Sequence, residues 1–146
     1  MSYKILLASD GSDNALRAAE HVLELMALTP EIEVTVLVVN EVLEKMKQYS
    51  PFRPPIVIAE VEEFFKEKSQ EALDKTIAVF KNRQIPAEGV IKYGHPAKEI
   101  VEYAEEGGYN QIVIGSRGMG SLKGIIMGSV SSKVIHLASV PVTVVK

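Results

Sequence analysis

Five short apolar runs recur along this chain, and their spacing limits what it can fold into more than any other feature. Lys4-Ile5-Leu6-Leu7-Ala8 and Glu33-Val34-Thr35-Val36-Leu37-Val38-Val39 are nearly continuous, as strands covered on both faces of a parallel sheet tend to be. Ala87 to Tyr93, Gln111 to Ile114 and Val140 to Val145 complete the set. Segments of helical period lie between them. From Asp13 to Leu28, Ala15, Ala18, Ala19, Val22, Leu25 and Met26 recur at three- and four-residue steps, with Ser12 or Asp10 as cap and Thr29-Pro30 as stop. A long helix is expected from Ile56 or Ile58 to Asn82, with Val61, Phe65, Ser69, Ala72, Thr76 and Val79 on one face. Its Glu and Lys residues read as a solvated face carrying i,i+4 pairs. A third helix runs Ala97 to Glu106 behind Pro96, with Ile100, Val101 and Ala104 inward and Gly107-Gly108 as the stop. The last runs from Ser129 to about Ala138, with Val130, Val134 and Leu137 inward. Asn40 to Pro55, with three prolines, is the longest expected loop, and Val42 to Met46 within it suits a helical turn.

Strands alternating with helices argue for an open parallel sheet with right-handed crossovers. Pro141 at the start of the last strand suits an edge position. An apolar edge of that kind invites pairing with a second copy. At 146 residues, one domain spanning 1–146 is expected. The chain has no cysteine, which removes disulfides, thiolate metal sites and cysteine nucleophiles together. No apolar run approaches the ~18 residues of a membrane span. Met1-Ser2-Tyr3-Lys4 enters a strand at once, without a signal-peptide pattern, so a cytoplasmic location with no membrane partner is expected. A net charge of −3 argues against sequence-independent nucleic-acid binding, which rests on basic surface.

The chemistry concentrates at two strand ends. After Ile114 comes Gly115-Ser116-Arg117-Gly118, then nine residues from Met119 to Met127, then Gly128-Ser129 at the head of the last helix. Glycines let backbone N–H groups approach an anion with no Cβ in the way. A helix start aims further N–H groups and the positive end of its dipole at the same space. This stretch therefore reads as a loop that closes over a polyphosphate, with Ser129 both capping the helix and touching phosphate, and with Arg117 a further candidate contact. Lys123 within it is expected in solvent. Asp10 ends the first strand. Ligands of open α/β sheets bind where the strand order reverses, so Asp10 and Gly115 face one crevice if their strands are neighbours. A carboxylate repels phosphate, which suits Asp10 to ribose hydroxyls, an adenine amine or Mg²⁺. Val39 ends the second strand and can line a base pocket. His95, before a proline, reads as structural, and His21 and His136 sit on helices without metal-ligand spacing. No G-x-x-x-x-G-K-[ST], no G-x-S-x-G and no convincing Ser/His/Asp set is present.

With these residues in view the chain resembles the universal stress protein family, in its ATP-binding type. The match runs through ILLASDGS, GHPAKEIVEYA, the ungapped Gly115-x-x-Gly118-(nine residues)-Gly128-Ser129 and the closing SVPVTVVK. The resemblance implies an α/β fold: an open five-stranded parallel sheet, order 3-2-1-4-5, with helices on both faces, Rossmann-like in the manner of the adenine nucleotide alpha hydrolases. It also implies a homodimer paired through the last strand, Val140–Lys146, and ATP (or AMP or ADP), with Mg, as ligand. The matching binding positions would be Ala8, Asp10, Val39, Gly115, Arg117, Gly118, Gly128, Ser129 and Val130. Two departures stand outside the phosphate loop: Val38 where many relatives carry His, and Ala138-Ser139-Val140 in place of a common cysteine.

Three functions are compatible with this pattern. The first is a dimeric ATP-binding regulatory module, in which ATP orders the Met119–Met127 loop. The second is a slow ATPase or phosphoryl-transfer enzyme, for which no residue is an obvious water-activating base. The third is a nucleotide-free dimeric scaffold, which the intact glycine spacing disfavours.

Overall fold

Strand β1 (Tyr3–Ala8) has apolar neighbours on both faces, and Ile5, Leu6 and Leu7 are fully buried. The computed structural model describes residues 2–48, 55–118 and 127–146. Within them β1 pairs in parallel with β2 (Ile32–Asn40) on one side and β4 (Gln111–Gly115) on the other. Leu6 is thereby registered against both Thr35 and Ile112. β3 (Glu88–Tyr93) flanks β2 and β5 (Val142–Val145) flanks β4, all parallel, which gives the order β3-β2-β1-β4-β5. The expected sheet is thus found, with the last strand at an edge. That strand is shorter than expected at its start: Val140 and Pro141 precede it, and Pro141 contributes its carbonyl to the Ile112 N–H at 2.9 Å.

Side-chain alternation along β1 divides the core into two layers. Ile5 and Leu7 face α1 (Asp13–Leu28) and α3 (Pro55–Lys81), joining Ala18, Val22, Val36 and Phe80. Leu6 and Ala8 face the opposite way, toward α4 (Pro96–Glu106) and α5 (Ser129–Leu137), joining Leu37, Ile100, Val101, Ile112 and Val134. Phe80 is fully buried, and removing such a side chain from water stabilises the fold by roughly 1.5–3 kcal/mol. The α3 face expected from Val61 to Val79 is found: Ser69, Ala72 and Thr76 are buried and Val61, Phe65 and Val79 half-buried, and Phe80, outside the expected line, joins them fully buried. The expected turn after β2 is a helix, α2 (Val42–Gln48), and residues 49–54 of the expected loop lie outside the described residues. Leu137 is 52% exposed rather than inward, because α5 ends there and Ala138 is already extended. The strand order reverses between β1 and β4, since the chain builds outward through β2 and β3 before returning to the other side of β1. The carboxyl ends of those two strands are where the fold leaves a crevice.

Candidate functional site

From Ala8 the chain turns through Ser9-Asp10-Gly11-Ser12 into α1. Ser12 is the N-cap, and its Oγ accepts the Ala15 N–H at 3.2 Å. Asp10 Oδ1 accepts the Ser12 N–H at 3.0 Å, closing an Asx turn. Gly11 has φ +78°, in the left-handed region that favours glycine. These local bonds hold an exposed carboxylate at the tip of β1.

The tip of β4 is brought to the same place by contact with α1. Gly115 is buried, and a Cβ on it would lie 2.9 Å from the Asn14 carbonyl carbon, so the strand abuts the first turn of the helix. Asn14 is buried as well, and its Nδ2 donates to Ser116 Oγ at 3.2 Å. The Ser116 carbonyl then accepts two bonds, from the Gly128 N–H at 2.5 Å and from Ser131 Oγ at 2.8 Å. Both ends of the glycine stretch therefore meet at one carbonyl. Gly118 follows in an exposed position, and a Cβ there would overlap Asp10 Oδ2. The two strand tips share one crevice, with the Asp10 carboxylate laid against the Gly118 backbone.

The candidate residues divide into three groups. Asp10, Gly115 and Gly118 meet at the β1–β4 junction as described. Gly128 packs on the Ser116 carbonyl and the Arg117 backbone, and Arg117 is half-buried. Ala8, Val39 and Val130 belong to the apolar layer on the α4/α5 face, the first buried and the other two packed against it. Ser129 differs from expectation. Gly128 is the N-cap of α5, with extended backbone and no side-chain bond, and Ser129 is the first helical residue, with its side chain exposed. The polar role at that helix start falls instead to Ser131, whose hydroxyl also lies 3.1 Å from the Gly128 carbonyl. Of the expected phosphate loop, residues 119–126 lie outside the described residues, Lys123 among them.

Chemically, this is a place for an anion beside hydrogen-bonding hydroxyls or amines. The first N–H groups of α5 have no intrahelical acceptor, and the helix dipole adds partial positive charge there. The Asp10 carboxylate accepts but repels anions, so it partitions the crevice into a part for donors and a part for phosphate-like groups. Among the described residues no three His, Cys, Asp or Glu side chains cluster to hold a metal.

Comparison with known proteins shows the family. The model of the universal stress protein family matches residues 1–146. The chain belongs to the universal stress protein family. Universal stress protein YxiE of Bacillus subtilis is 32% identical over 149 residues, covering 100% of both chains. Universal stress protein MJ0531 of Methanocaldococcus jannaschii is 37% identical over 146 residues, 98% of this chain and 81% of that one. The solved structure of the M. jannaschii protein MJ0577 superposes with a TM-score of 0.78 at 32% identity, over 100% and 96% of the two chains. A universal stress protein from Archaeoglobus fulgidus solved with dAMP has a TM-score of 0.67 at 22% identity, over 100% and 98%. An Arabidopsis thaliana member solved with AMP has a TM-score of 0.70 at 22% identity, over 99% and 91%.

For this universal stress protein, sequence reasoning missed the groups that tie the crevice together: Asn14, Ser116 and Ser131. Each is buried and polar. Asn14 stands on the inward line of α1 with Ala18 and Val22, and Ser131 stands three residues before the buried Val134. A polar residue on an apolar helical line was the available signal, since such groups need a specific partner.

Proposed function

We propose that this universal stress protein binds ATP in the crevice between the tips of β1 and β4 and works as a dimeric, nucleotide-dependent regulatory module in the cytoplasm. The observation that carries the reading is the approach of Asp10 to Gly118 beside the N-terminus of α5, an acceptor next to unhindered amides. In this reading Gly115, Arg117, Gly118, Gly128, Ser129 and Val130 surround the phosphates. Asp10 takes the ribose hydroxyls or the adenine amine, and Ala8 and Val39 line the base. The AMP and dAMP bound by structural neighbours support the adenine-nucleotide class. One carboxylate fits a Mg²⁺ that arrives with phosphate oxygens, since such ions commonly take one or two carboxylates plus the nucleotide. Asp10 would supply that ligand, and the metal would offset phosphate charge.

The proposed dimer pairs through β5. Two features favour it: β5 is an edge strand, and Ile135 and Leu137 on the preceding helix are exposed apolar residues. Nucleotide acts by population shift, favouring whichever arrangement of the glycine stretch it binds better. The test is titration calorimetry with ATP and Mg²⁺, together with mass spectrometry of whatever co-purifies. ATP should bind and raise Tm. Gly118→Val and Gly128→Val should each abolish binding, and unchanged affinity in both would refute the site.

A further inference from the structure

Helix α3 has an inner face built for close approach rather than for bulk. Among its described side chains the buried ones are Ser69, Ala72, Thr76 and Phe80, three of them small or polar where a crossover helix commonly places leucine. Two of the three touch the turn that follows β1. Thr76 Oγ1 donates to the Ala72 carbonyl of its own helix at 2.8 Å, which uses its only proton. In the 2.7 Å contact between Thr76 Oγ1 and Ser9 Oγ, Ser9 is therefore the donor. Ser9 Oγ keeps its lone pairs, and one of them accepts the Gly11 N–H at 3.2 Å. A relay runs from the α3 backbone through two hydroxyls to the backbone of Gly11. The second contact is steric. A Cβ on Gly11 would lie 2.9 Å from Ala72 Cα, so the left-handed turn rests directly on the helix. Asp10 lies between Ser9 and Gly11, and both of its flanking residues are fixed by α3.

We propose that Thr76 and Ala72 are positioning residues for the crevice: α3 sets the turn that aims the Asp10 carboxylate at the ligand. This inference rests on the nucleotide reading above and adds to it residues that touch no ligand. Thr76→Val keeps the shape and removes the hydroxyl that receives the Ser9 proton. Thr76→Ser keeps the hydroxyl. Phe80→Leu alters the same helix at a fully buried position that serves only packing.

The experiment measures three quantities on the full chain: Kd for ATP with Mg²⁺, Tm, and nucleotide-free amide exchange at Gly11 and Ser12. Thr76→Val is expected to weaken ATP binding roughly fivefold to tenfold, the worth of one aligned hydrogen bond. It should also speed exchange at Gly11. Thr76→Ser should restore both readouts. Phe80→Leu should lower Tm at least as much as Thr76→Val while leaving Kd within about twofold, because packing loss alone does not move the turn. Wild-type affinity and exchange in Thr76→Val would overturn the inference alone. So would an equal loss of affinity in Phe80→Leu, which marks a general effect of stability. Absence of ATP binding by the wild type would remove the nucleotide reading and this inference with it.

Discussion

Gly115 and Gly118 stand three residues apart in one motif, yet alanine should act on them in opposite ways. At Gly115 the added methyl would meet backbone: the Asn14 carbonyl carbon at 2.9 Å and the Ala15 nitrogen at 3.0 Å. Backbone cannot rotate aside, so β4 or α1 must shift, and overpacking of that kind costs about 1–3 kcal/mol. The stiffer unfolded chain of alanine offsets about 0.4–1 kcal/mol of it. At about 2–4 °C per kcal/mol for a domain near this size, Gly115→Ala should lower Tm by up to roughly 10 °C. At Gly118, among the described residues, the methyl would meet the Asp10 carboxylate, the end of a side chain rather than backbone. Rotation forfeits at least the 3.0 Å bond from the Ser12 N–H, worth about 1 kcal/mol, and the same entropic gain offsets part of the loss. Gly118→Ala should therefore melt within a few degrees of the wild type. Its ATP affinity should fall roughly ten- to hundredfold, the range expected when a charged hydrogen-bonding group is turned away. Differential scanning calorimetry and titration calorimetry on the two variants decide the matter. If Gly118→Ala melts as early as Gly115→Ala, or binds ATP like the wild type, the placement of Asp10 against Gly118 is not what builds the site.

Ser131→Ala removes the hydroxyl that joins α5 to the Ser116 carbonyl, and thermal unfolding should show a loss of about 1 kcal/mol together with weaker ATP binding. Proline at Val144 tests the dimer. The carbonyls of Pro141 and Val145 both face β4, accepting from Ile112 and Ser116, so by strand alternation the Val144 N–H faces away. Val144→Pro should yield a monomer by sedimentation, and a variant that stays dimeric would exclude pairing through β5. Tyr103 gives an alkaline signature. Burial, then the charge of Tyr109, the hydrogen bond with Tyr109 and the charge of Glu88 raise its phenol pKa above the ordinary value. A raised pKa means that the folded state favours the protonated phenol. The associated stability is present below the unfolded phenol pKa, about 10, and is lost as pH climbs through the folded value. Tyr103→Phe should flatten the fall of Tm above about pH 10, and an unchanged slope would assign that fall elsewhere.

Much of the fold was legible because its strands are written as apolar runs. Leu6 and Leu7 sit side by side in the sequence and end up in opposite core layers, which only a strand covered on both faces allows. The strand order was not legible from periodicity; resemblance to the family supplied it. Helix starts were legible to within a residue, but one cap was not. Ser129 carries the residue type of a cap, but the chain makes its last extended step at Gly128, so the serine falls inside the helix. Phe80 escaped notice because it lies one residue beyond the face drawn through Val79, and the error of phase is small on a helix that long. The glycine spacing pointed to the crevice. The groups that assemble it, Asn14 with Ser116 at a separation of 102 residues and Ser116 with Ser131 at 15, depend on tertiary approach that local patterns do not encode.

The place of β1 in the sheet also bears on how the chain is made. Its partner β4 aligns Gln111 beside Ile5, more than a hundred residues later in synthesis. At about 5–20 residues per second, a ribosome needs roughly 5–20 s to deliver that partner. Until then one side of the Ile5-Leu6-Leu7 segment has no strand to pair with, even where β2 and β3 are already available. The nascent β3-β2-β1 half is therefore an unfinished sheet whose most apolar strand keeps one side unpaired until β4 emerges.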